Sequence, residues 1–198
     1  MPEERSDGEL MAGVASGDEE AFRLLIERHQ DRVYGTVARM MGGSGPETEE
    51  VAQDVFLRVW RSAYRYRGES KFTSWLMMVV RNLVFTRLGQ RRRRKDIDGE
   101  DGVDGETGES FMENQPEMAG RRPDENVACG ELERAVEKAC AELPDNQRLV
   151  VHLRQYDGMD LEEIVKVTGM SMMAVKALLF RARESLKKKL SAYLTASK

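Results

Sequence analysis

The 198-residue chain has few of the residues from which sites of covalent or metal chemistry are built: two cysteines and two histidines. Cys129 and Cys140 lie far in sequence from His29 and His152, so neither the ligand spacing of a zinc site nor a disulfide framework is present. No stretch approaches the roughly 18 to 20 apolar residues that a membrane-spanning helix needs. The N-terminal MPEERSDGEL is acidic where a secretory leader would be basic and then apolar. The expectation is a cytoplasmic protein without membrane insertion. Catalytic patterns are also missing: no HExxH, no phosphate loop closing on Gly-Lys-Ser/Thr, no nucleophile beside a base, no paired carboxylates in a pocket context. The GGSG at 42–45 lacks the lysine and the preceding strand. No catalytic residue, metal site or cofactor is expected, and the chain does not read as an enzyme.

What is abundant is charge and helical periodicity. Hydrophobic residues make up 40% and charged residues 33% of the chain, a balance that fits a soluble, helix-rich protein. The formal net charge of −4 conceals a partition: +3 over residues 1–95, −9 over 96–130 and +2 over 131–198. Within the outer blocks the cations concentrate further, to +11 over 55–95 and +7 over 166–198. Such patches are electrostatic footprints for phosphate, with a solvated helix face as the competing reading.

Three helices are expected in the first block. One follows Gly17-Asp18 with Phe22, Leu25, Ile26, His29, Val33, Val37 and Met40 at helical spacing, and stops at GGSGP. The next starts at Pro46-Glu47, where proline and acids suit a first turn, with Val51, Val55 and Val59 as its stripe. The third runs from about Phe72 to Arg87 and ends in the basic run 91–95. Residues 96–128 are acidic, rich in glycine and poor in large apolar groups, and read as a flexible linker. The DGEDGVDG within them lacks the ligand register and closing glutamate of a calcium loop. In the last block ELERAVEKACAEL, DNQRLVVHLRQYD and LEEIVKV read as helices. Thr168-Gly169-Met170 then turns the chain, and Ser171 caps a longer helix from Met172 to about Leu190. The expected fold class is all-α: two small helical domains, 1–95 and 129–198, joined by the linker, the second containing a helix-turn-helix.

Two constellations bear on function. On the helix after Ser171, Val175, Leu178, Leu179, Ala182 and Leu186 fall on one face, and Lys176, Phe180, Arg183 and Lys187, with Met173 and Ala177, on the other or its flanks. That outer face is basic, with apolar residues near the end a recognition helix presents to the major groove, although Met and Phe could equally be extra core. Around YRYRGESKFTSWLMMVVRN, Tyr64, Tyr66, Phe72 and Trp75 interleave with Arg65, Arg67, Lys71 and Arg81, the composition of a single-strand binding surface. Buried Phe72 and Trp75 could be structural. These residues alone also allow a stand-alone helix-turn-helix regulator with an N-terminal sensor domain, or a helical adaptor that binds only protein.

The order of segments resembles the extracytoplasmic-function (ECF) sigma factors, small members of the sigma-70 superfamily that keep only regions 2 and 4. GDEEAFRLLIERHQDRVY, EEVAQDVFLRVWR and YRGESKFTSWLMMVVRNLVFTRLGQRRRR resemble region 2, and LPDNQRLVVHLRQYDGMDLEEIVKVTGMSMMAVKALLFRARESLKKKL resembles region 4. The resemblance implies a subunit that binds core RNA polymerase through its largest-subunit clamp helices and flap region, binds promoter DNA, and has an anti-sigma factor as partner. It implies clamp binding for Gln53, Asp54, Phe56, Leu57 and Arg58. It implies −10 recognition and melting for Tyr64, Arg65, Tyr66, Arg67, Lys71, Phe72, Trp75, Arg81 and Asn82. For −35 reading it points to Ser171, Met172, Met173, Lys176, Ala177, Phe180 and Arg183. The chain departs from many relatives in carrying Ala177 and Leu178 where those have polar or basic residues, and Met173 where those have a small one; Leu178 falls on the core side of the helix.

Overall fold

The computed structural model describes residues 5–97 and 123–191. Among them are eight α-helices and no strand. A short helix absent from the sequence reading comes first: α1, Asp7–Ala15, opened by a capping box in which Ser6 Oγ accepts from the Glu9 amide and Glu9 reaches back to the Ser6 amide at 2.7 Å. It is followed by α2, Glu19–Met41, capped by Asp18, whose carboxylate accepts from the Ala21 amide. Pro46 starts α3, Pro46–Ser62, and a single 3-10 turn over Ala63–Arg65 leads to the loop before α4, Phe72–Ile97. The second block holds α5, Pro123–Ala141; α6, Asp145–Gln155; α7, Leu161–Thr168; and α8, Met172–Lys189.

Both edges of the expected linker are helical. The basic run does not stop α4, which continues to Ile97 because acids on other helices receive its guanidinium groups. Arg91 pairs with Glu47 and also donates to the Met41 carbonyl, and Arg92 pairs with Asp145. The helix expected from Glu131 begins eight residues earlier, at Pro123. The rest of the expected linker, residues 98–122, lies outside the described residues.

The core is one cluster, whereas the sequence suggests two. Leu10 and Met11 of α1, Leu25, Val33 and Val37 of α2, Val51, Val55 and Val59 of α3, and Leu76, Val80 and Val84 of α4 are buried. They are continuous with Leu149, Val150 and Leu153 of α6, Ile164 and Val167 of α7, and Val175 of α8. The seam runs mainly along α4 and α7, with α2 touching α6 beside it. Fully burying each such aliphatic side chain contributes roughly 1.5–3 kcal/mol, so apolar contact holds the blocks together.

Candidate nucleic-acid interface

The turn between α7 and α8 is built by local hydrogen bonds. Asp160 caps α7 through the Glu163 amide at 2.8 Å, and Glu163 returns a bond to the Asp160 amide at 3.0 Å. Gly169 ends the helix with φ +68°, and its N–H donates to the Val165 carbonyl at 2.8 Å, a left-handed stop that glycine adopts at least cost. Two residues on, Ser171 Oγ accepts from the Ala174 amide at 3.2 Å and starts α8. Val175 and Ala182 are fully buried, and Leu178, Leu179 and Leu186 are half-buried on the same side. Outward stand Met173, 76% exposed, and Phe180, 66% exposed, with Ser171, Lys176 and Arg183 also exposed and Met172 and Ala177 half-buried. Arg181 and Glu184 share this outer surface. The sequence reading passed over both, although the same helical wheel places them there.

The aromatic loop before α4 is more divided than its composition suggests. Tyr64 is 68% exposed, its hydroxyl accepting from Arg65 Nε at 2.9 Å and the Arg65 guanidinium lying 5.4 Å from its ring. Tyr66 is half-buried: its hydroxyl donates to the Ser70 carbonyl at 3.1 Å, and burial pushes its pKa up. Its ring meets Phe72 at 5.9 Å and Trp75 at 5.6 Å. Phe72 is only 5% exposed and leans on His29 at 5.1 Å, so it supports the other rings from beneath and offers no free face. Arg67 and Asn82 are exposed; Arg81 donates to Asn82 Oδ1 at 3.1 Å, its guanidinium over Phe85. Lys71 reaches across to α7, where Glu163 Oε1 lies 2.9 Å away; that contact holds the ammonium above its usual pKa and Glu163 below its own.

A third surface lies on α3. Val51, Val55 and Val59 face the core, which turns Gln53, Leu57 and Arg58 outward and leaves Asp54 and Phe56 half-buried. Leu57 is 49% exposed, a large apolar side chain between polar ones on an outer face. Arg87 of α4 holds the acids at this edge, at 3.1 Å from Glu50 and 4.0 Å from Asp54.

Where the blocks meet, α2 and α6 join through a small polar cluster. The Thr36 hydroxyl donates to the Arg32 carbonyl at 2.8 Å, so His152 Nε2–H donates to Thr36 Oγ1 at 2.9 Å. Burial, with help from Arg39 and Arg32, pushes the His152 pKa down to about 4, which keeps the ring neutral at physiological pH. Asp157, raised by its own burial, lies 3.3 Å from Arg32 Nε. The Arg39 guanidinium covers the Tyr156 ring at 4.3 Å, and that ring stacks on His152. No sequence signal joined these residues.

Among the described residues no group of His, Cys, Asp or Glu could hold a metal ion, and no helix is long and apolar enough to cross a membrane. Residues 25–94 match Sigma-70 region 2, and residues 133–186 match Sigma-70, region 4. The ECF RNA polymerase sigma-E factor of Haemophilus influenzae is 30% identical over 193 residues, covering 96% of this chain and 98% of that one. The chain belongs to the ECF sigma factors. The RNA polymerase sigma-H factor of Pseudomonas aeruginosa is 29% identical, with 98% of each chain covered. Among solved structures, CnrH in complex with the cytosolic domain of CnrY is 26% identical, with a TM-score of 0.62 over 98% of this chain and all of that one. The sigma factor RpoE in complex with the anti-sigma factor NepR, from Bartonella quintana, shares the fold at 19% identity and a TM-score of 0.65, over 86% of this chain and 96% of that one. As an ECF sigma factor the protein binds core RNA polymerase and directs promoter-specific initiation by recognising −10 and −35 elements. The stand-alone regulator is not favoured, because the matches take in both helical blocks.

Proposed function

We propose that this ECF sigma factor divides promoter recognition between its two blocks, residues 1–95 binding core polymerase and reading and melting the −10 element, residues 129–198 reading the −35 element, and 96–128 linking them. On α3, Gln53, Asp54, Phe56, Leu57 and Arg58 form the face for the largest-subunit clamp helices. Tyr64, Arg65 and Arg67 offer an exposed ring among cations to an unpaired base of the −10 strand; Tyr66, Phe72 and Trp75 hold that loop in shape, and Lys71, Arg81 and Asn82 flank it. Opening a base step costs a few kcal/mol, of the order that stacking on an aromatic ring returns. Ser171, Met172, Met173, Lys176, Ala177, Phe180 and Arg183 form the −35 reading end of α8.

The observation that carries this reading is the coincidence of three outward-facing surfaces with the two matched regions: α3 and the Tyr64 loop in one, α8 in the other. The protein acts in the cytoplasm, performs no catalysis itself, and binds an anti-sigma factor, as the RpoE solved in complex with NepR does. Reconstitution with core polymerase tests the assignment by run-off transcription. Promoter-dependent transcripts should appear with the native chain and be lost when Tyr64 and Arg65 are both changed to alanine. Undiminished transcripts from that double variant would remove the loop from the melting site.

A further inference from the structure

The outer side of α8 is arranged in strips. At about 100° per residue, Met173, Ala177 and Phe180 fall on one line, which the exposed Glu184 continues one turn farther from the reading end; Lys176 and Arg183 lie to one side of it and Arg181 to the other. Packing does not require that line to be apolar, because Val175 and Ala182, both fully buried, secure the helix from the opposite face. Met173 and Phe180 nevertheless stand 76% and 66% exposed. They offer no side-chain hydrogen bond, and the Ser171 oxygen at their head accepts the capping N–H. Such a line cannot make the bidentate contacts by which Arg, Asn or Gln distinguish guanine and adenine. The apolar group on a base edge in the major groove is the 5-methyl of thymine, which apolar side chains contact. The flanking cations lie roughly 70–90° round the helix from the apolar line. On a helix seated in a groove about 12 Å wide, that angle directs them to the phosphate walls and away from the floor.

We infer that Met173 and Phe180 set −35 specificity by packing on thymine methyl groups, while Lys176, Arg181 and Arg183 anchor the helix to phosphate. This rests on the proposed −35 role of α8 and names the chemistry read there. Seven residues at a 1.5 Å rise separate the two side chains by about 10 Å, so the methyls they meet lie within about three base-pair steps of each other.

Replacing thymidine by deoxyuridine removes one methyl and leaves every hydrogen-bonding group in place. A promoter used by the reconstituted holoenzyme is randomised over its −35 region, and bound duplexes are selected and resynthesised with deoxyuridine at one thymidine at a time. One or two positions, within about three base pairs, should lose affinity about fourfold, the worth of one buried CH₂-sized group. Holoenzyme carrying Met173→Ala or Phe180→Ala should bind the thymidine and deoxyuridine forms of one such position alike. Lys176→Ala should weaken both forms equally. Enriched −35 sites indifferent to deoxyuridine at every position would overturn methyl reading and leave α8 as the −35 reader. A thymidine preference that survives in both alanine variants would overturn the assignment to these side chains. No enriched −35 sequence at all would remove the reading on which the inference stands.

Discussion

Ser171 has one structural role on α8 and one proposed role at the DNA interface, and substitution can separate them. Its hydroxyl oxygen caps the helix by accepting from the Ala174 amide, and its position at the first turn places it at the end of α8 proposed to face DNA. Ser171→Ala should lower stability by about 1 kcal/mol, measured by urea unfolding. Ser171→Asp should restore the cap and the stability while weakening promoter binding, because it sets a negative charge against the phosphates; a stable variant with native DNA affinity would remove Ser171 from the interface. Side-chain direction on this helix was legible in the sequence, since Val175 inside and Met173 outside follow from helical period alone. Direction in the Tyr64–Trp75 loop was not. The composition shows four aromatic residues but does not show that Phe72 sinks beneath Tyr66 and onto His29, which is decided by a helix more than forty positions away.

Among the elements, α3 makes the plainest division of labour. One face carries three valines into the core, and the other carries Leu57 and Arg58 into solvent, so the outer face can change at little structural cost. Surface substitutions of this kind usually shift stability by less than about 0.5 kcal/mol. The paired change Leu57→Asp with Arg58→Glu should leave the melting temperature almost unaltered and abolish co-purification with core polymerase. Retained co-purification would place the polymerase contact elsewhere. Helices with a strong apolar stripe were legible at this scale, α3 among them. The omission of α1 has a local cause: the Ser-Asp-Gly-Glu at 6–9 is a capping-box signature that was available but precedes only a short apolar run. The far end of α4 was legible only in part. Arginines read as a stop signal by their charge, yet Glu47 and Asp145, far away in sequence, receive them and let the helix continue.

At the scale of the molecule the closed arrangement and the function make opposite demands. A −10 and a −35 element are about 25 base pairs apart, which at 3.4 Å per step is roughly 85 Å of duplex. A compact chain of this length is only about 40 Å across. With α7 seated on α4, Lys71 paired to Glu163 and His152 bonded to Thr36, the protein cannot reach both elements at once on straight duplex. Reading both elements on straight duplex therefore requires this seam to part, which exposes the apolar contact between α4 and α7; its polar contacts resist less. Its Arg32–Asp157 and Lys71–Glu163 pairs each leave one partner partly in water, where such contacts are weak and screened by salt. Partners separated by roughly 90 to 125 residues gave no sign of this seam in the sequence. With Cys129 and Cys140 replaced by serine, a fluorophore pair on cysteines introduced at the exposed Gln30 and Lys166 should transfer energy strongly in the free protein. Transfer should fall when core polymerase is added. Tyr156→Ala, which removes the ring stacked between Arg39 and His152, should lower the transfer before polymerase is present. Equal transfer in the free protein and the holoenzyme would mean that the closed form persists on polymerase, and the two elements would then have to be brought together by bending the DNA.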